Sequence, residues 1–162
     1  MQFLIIIIFL LVFAFFGNSL GYDSVFPLYK HLTFNFQHAN LMHLLINSVA
    51  FLSVFRLLRP YLRPCLFVFG SLFITVAASF LPFCYYDRPV VGASGMIYAM
   101  LGMWLALIAT KKIRYKNYKF LYLFALSLVI CSAVGFYRAN SAVTLHFCCL
   151  LCGFILCRLS LY

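Results

Sequence analysis

The sequence contains no glutamate and only two aspartates, Asp23 and Asp87, against twelve lysines and arginines. Both aspartates fall in loops between apolar runs. An aspartyl mechanism, which needs two carboxylates sharing a proton, is thereby excluded. So is a zinc site of the H-E-x-x-H type, whose general base is a glutamate. A Ser-His-Asp triad would require Asp23 or Asp87 to reach a membrane-buried histidine from a loop. Charge of either sign is scarce as well: the 162 residues are 9% charged and 67% hydrophobic. That is too little polar surface to cover a soluble apolar core, and it implies an integral membrane protein. No linker, low-complexity tract or internal repeat marks a second domain, so residues 1–162 are expected to form a single domain.

A spanning helix needs about 20 mostly apolar residues. Six runs approach this length, roughly Phe3 to Leu20, His38 to Leu58, Cys65 to Phe83, Ser94 to Thr110, Phe120 to Phe136 and Ser141 to Cys157. The expected fold is all-α, a polytopic bundle of six transmembrane helices. Gly17 and Ser19 have the spacing of a signal-peptide cleavage site, but Met1-Gln2 supplies no basic segment before the first run. An intact first helix is therefore the expectation.

The basic residues sort by connection. Nine follow the second, fourth and sixth runs (Arg56, Arg59, Arg63, Lys111, Lys112, Arg114, Lys116, Lys119, Arg158), and only Lys30, Arg88 and Arg138 lie in the others. Under the positive-inside rule both termini are cytoplasmic. The net charge of +10 is then topogenic, and no nucleic-acid partner is expected. Seven cysteines lie in or beside apolar runs and behave as small hydrophobes. Cys149 and Cys152 form a C-x-x-C without the remaining ligands of a closed metal set, so neither metal nor cofactor is expected.

Polar groups within the hydrocarbon are costly and mark functional candidates. His43 and Asn47, four residues apart, share one face of the second run. Counting about 1.5 Å per residue from the basic clusters places Ser94 and His43 near 25 Å, and Asn47 and His146 near 18 Å, all in the outer half of the core. One site below the outer surface can collect them. The segment before Ser94 must dip into the membrane, which is tolerated only where it lines a cavity or is buried in protein. Each residue also has a plain structural reading, as packing glycines, interhelical hydrogen bonds or core aromatics. Their joint placement favours a Ser-His dyad, with Ser94 attacking and His146 taking its proton. The Ser94 backbone N–H, His43 and Asn47 can donate to an oxyanion, and Tyr98, one turn below Ser94, can orient the imidazole by stacking.

These motifs resemble those of the rhomboid family of intramembrane serine proteases. Tyr29-Lys30-His31-Leu32-Thr33 and His38-Ala39-Asn40-Leu41-Met42-His43-Leu44-Leu45-Ile46-Asn47 are similar to the family's first-loop and second-helix signature. Gly92-Ala93-Ser94-Gly95-Met96-Ile97-Tyr98-Ala99 is similar to its nucleophile motif. The resemblance implies Ser94 as nucleophile, His146 as base, and His43, Asn47 and Ser94 as the oxyanion hole. Tyr98, Gly92, Gly95 and His38 would support them. It implies a bacterial inner-membrane protein, its site open to the extracytoplasmic side, whose partners are the lipid bilayer and transmembrane protein substrates. The sequence sets no oligomeric state. Leu145 and Cys149 stand where the family usually has alanine and glycine, with glycine only at Gly153, and this bulk predicts a wider gap between Ser94 and His146. It is the feature favouring the alternative, a pseudoprotease that binds transmembrane helices without cutting them. A channel would need a polar path through the inner half, which reads as apolar.

Overall fold

A computed structural model describes residues 1–16, 20–21, 27–84, 89–110 and 142–160. Among the described residues there are six α-helices, one of them only four residues long: α1 (Gln2–Phe16), α2 (Lys30–Thr33), α3 (Leu41–Leu58), α4 (Pro64–Ser79), α5 (Ser94–Ala109) and α6 (Val143–Ser160). Two 3-10 turns, Phe34–Phe36 and Pro82–Cys84, follow α2 and α4. The expected run Phe120 to Phe136, the cleavage spacing at Gly17 and Ser19, and Asp23 and Asp87 lie outside the described residues.

Local chemistry sets the helix ends. α3 begins at Leu41 rather than His38 because Asn40 is extended and its Oδ1 accepts the His43 N–H at 2.8 Å, an N-cap bond. α4 opens with Pro64, whose missing N–H costs nothing in the first turn. It stops at Ser79, short of the expected Phe83, because Phe80 closes the last turn and Pro82 follows. At the end of α5 the Thr110 hydroxyl donates back to the Ala106 carbonyl at 2.9 Å.

α5 is the hub. Twelve of its sixteen residues are buried, so it is wrapped on every side, with α3, α4 and α6 against it. Among the described helices its most extensive partner is α6, and glycine makes that approach possible. A Cβ at Gly102 would overlap the Leu150 carbonyl of α6, and one at Gly153 would overlap the Ala99 carbonyl of α5. The two backbones therefore touch, the packing by which small residues hold membrane helices together. α1 joins through Phe9, fully buried, whose ring meets Phe51 edge-on at 5.9 Å and His38 at 5.1 Å.

The outer faces carry Phe15, Leu66, Phe73 and Leu159, each more than 60% exposed. Apolar exposure on this scale is unfavourable in water. Among the described residues two helices, α3 and α6, are long and apolar enough to cross a membrane, while α1, α4 and α5 are apolar but shorter.

Candidate active site

Ser94 is the first residue of α5, and the backbone leading to it takes an unusual path. Gly92 has φ +121°, a region that side-chain-bearing residues rarely adopt. Its N–H donates to the Phe34 carbonyl at 2.9 Å, which ties this segment to the turn after α2. Space also demands glycine here. A Cβ on Gly92 would lie 2.8 Å from Cε1 and 2.9 Å from Nε2 of His43, and 3.5 Å from Nδ2 of Asn47. Both polar side chains of α3 thus reach the backbone two residues before Ser94.

The Ser94 hydroxyl and His146 Nε2 are 2.7 Å apart, a short hydrogen bond across 52 residues of sequence. The His146 ring stacks on Tyr98, with centroids 4.5 Å apart and planes 13° from parallel. An imidazole that accepts at Nε2 carries its hydrogen on Nδ1. That atom is buried and has no hydrogen-bond partner among the described residues. The ring's orientation therefore rests on the Tyr98 stack and the bond to Ser94.

The α3 residues are held as donors. His43 Nδ1 accepts a long bond from the Ala39 N–H, at 3.5 Å, which leaves the ring hydrogen on Nε2, the nitrogen nearest Gly92. Asn47, buried, spends one Nδ2 hydrogen on the His43 carbonyl at 3.0 Å and retains a second. His38 packs edge-on against His43 at 5.3 Å, and its ring also meets Phe9 at 5.1 Å. Burial pushes the His38 imidazole down to about 4; the His43 ring acts in the same direction and the Phe36 backbone opposes both. His38 is accordingly neutral near pH 7.

The expected widening between Ser94 and His146 does not occur. Leu145 and Cys149 are fully buried, and the Cys149 thiol faces α4, 3.9 Å from Thr75 Oγ1. The close approach of α5 and α6 is made by other glycines, Gly102 against Leu150 and Gly153 against Ala99. Gly95 packs against α4, where a Cβ would overlap the Thr75 methyl. Among the described residues no group of three or more His, Cys, Asp or Glu side chains is disposed to hold a metal ion.

Sequence reasoning missed Phe34, Ala39, Asn40 and Thr75. Asn40, immediately before the apolar run, is an N-cap signal that marks the start of α3. Phe34 and Ala39 act through backbone atoms, for which side-chain identity gives no sign.

The arrangement is a serine hydroxyl on an imidazole base, beside a helix N-terminus and two side-chain N–H donors. It can deprotonate an alcohol and stabilise an adjacent anion. A family model for the Rhomboid domain matches residues 26–162. No curated protein matches the chain. The match takes in α2 to α6 and every polar residue described in this site, and the chain belongs to the rhomboid family of membrane proteins.

Proposed function

We propose that this chain is an intramembrane serine endopeptidase that hydrolyses peptide bonds in or near transmembrane segments of other proteins. The observation that carries this reading is the 2.7 Å contact between the Ser94 hydroxyl and His146 Nε2 in a ring already oriented by Tyr98. His146 takes the hydroxyl proton as Ser94 attacks the substrate carbonyl, then returns it to the leaving amine. The tetrahedral oxyanion is met by the Ser94 N–H, which has no intrahelical acceptor at the first position of α5, and by His43 Nε2–H and Asn47 Nδ2–H. A helical backbone hides its carbonyls, so the substrate unwinds locally, and helix-breaking residues near the cut favour cleavage.

The distribution of basic residues supports a bundle with cytoplasmic termini and a site that opens to the extracytoplasmic side, and the family resemblance suggests a bacterial inner membrane. The pseudoprotease alternative rests on Leu145 and Cys149, and neither holds His146 away from Ser94. Labelling with a fluorophosphonate distinguishes the two readings. Covalent capture at Ser94, lost in Ser94→Ala and in His146→Ala, is expected of the protease; an intact, folded chain that never labels would identify the pseudoprotease.

A further inference from the structure

A second serine–histidine pair lies outside the site. His31 in α2 meets Ser79, the last residue of α4, with Nδ1 and Oγ 2.8 Å apart. The His31 ring also stacks on Phe80 at 4.0 Å and 14°. Both residues are buried. The Ser79 hydroxyl lies 2.6 Å from the Val76 carbonyl, which can only accept, so its proton goes there. Oγ must then accept from a hydrogen on His31 Nδ1. With its proton committed to its own helix, Ser79 is not a second nucleophile. Ser94 differs because it opens its helix and has no preceding helical turn to take its proton.

The segment that His31 fastens leads directly to the nucleophile. α2 has only four residues and runs straight into the Phe34–Phe36 turn, so helix formation alone cannot fix its position. Three residues after His31, the Phe34 carbonyl accepts the Gly92 N–H at 2.9 Å. Gly92 sits against His43 and Asn47 and lies two residues before Ser94. We propose that His31 is a positioning residue: clamped to Ser79 and Phe80, it fixes the Phe34 carbonyl and through it the Gly92 backbone that sets Ser94 against its oxyanion donors. This role rests on the protease reading of Ser94.

The test uses purified full-length protein and four readouts: kcat and KM on a transmembrane substrate, the rate of fluorophosphonate labelling, the melting midpoint, and hydrogen exchange of the peptide containing Gly92. His31→Phe keeps a ring for the stack and loses the donor, Ser79→Ala loses the acceptor, and His31→Asn returns an N–H at the place of Nδ1. Measured well below the midpoint, His31→Phe and Ser79→Ala should each lower kcat and labelling about tenfold or more with KM little changed, since small misplacements of reacting groups are costly. The double variant should be no worse than the poorer single, and His31→Asn should recover most of the rate. Faster exchange at Gly92 should accompany the loss. A lowered midpoint with kcat intact, additive losses, or His31→Asn as defective as His31→Phe would overturn the proposal. Wild type that neither cuts nor labels would remove the protease reading instead; unchanged Gly92 exchange in His31→Phe would then still refute the clamp.

Discussion

Gly92 and His43 are in contact so close that a single added methyl group would lie 2.8 Å from the imidazole. With φ at +121°, the same position is strained for any residue bearing a side chain. Two independent penalties therefore meet at one carbon. Gly92→Ala is expected to lower cleavage by about a hundredfold or more, through displacement of the His43 donor and the Ser94 backbone. The measurement is cleavage rate alongside far-ultraviolet circular dichroism. A helical, stable variant with near-wild-type rate would contradict this account of the site.

His43 and Asn47 are assigned to the oxyanion, so their removal should reduce kcat rather than substrate binding. Asn47→Ala and His43→Ala should each lower kcat by roughly 10² to 10³. Fluorophosphonate capture should weaken along with it. A rise in KM at constant kcat would reassign both residues to substrate binding.

Backbone contact between α5 and α6 sets the spacing of Ser94 and His146, and it is made at Gly102 against Leu150 and at Gly153 against Ala99. Gly153→Ala would drive a methyl into the Ala99 carbonyl, and rigid backbone gives way less easily than a flexible side chain. The expected result is destabilisation of about 1–3 kcal/mol together with slower labelling of Ser94. Thermal unfolding in detergent and labelling kinetics report the two effects. Cys149→Gly, at the position where the family resemblance implies glycine, should not rescue the variant, because the methyl added at Gly153 meets the Ala99 carbonyl a turn away.

Much of the helical pattern was legible in the sequence, because apolar runs bounded by Pro, Asn and basic residues obey local rules. The starts of α4 and α5 lie within a residue of Cys65 and Ser94, where the apolar runs begin. The start of α3 was misread because His38 belongs to an extended approach that Asn40 ends. Of the polar outliers, Ser94, Tyr98 and His146 could be listed from sequence, and the structure brings all three together. The consequence of Leu145 and Cys149 was not legible: which turn carries the closest helix approach depends on the register of two helices about fifty residues apart. The His31–Ser79 and Phe34–Gly92 contacts were equally hidden, since pairings between distant elements leave no local pattern.

His38 gives the fold a pH dependence with a defined sign. Burial holds its folded-state pKa near 4, against about 6.5 when unfolded. The unfolded chain thus binds the proton first as pH falls. Stability is full above about pH 6.5 and declines towards pH 4, by up to roughly 3 kcal/mol from this group. Burial also lowers the His31 pKa and adds in the same direction. The melting midpoint of wild type should fall across that window, and His38→Gln should flatten part of the decline. A midpoint that rises on acidification would contradict the assignment.

The central claim is that the Ser94 hydroxyl, activated by His146, cuts a peptide bond. Its most direct test is cleavage of a transmembrane substrate in liposomes by purified wild type and Ser94→Ala, side by side. The account predicts a discrete cut by wild type and none by Ser94→Ala, with the variant equally folded. Equal cleavage by both proteins would contradict it, because the nucleophile would then lie elsewhere.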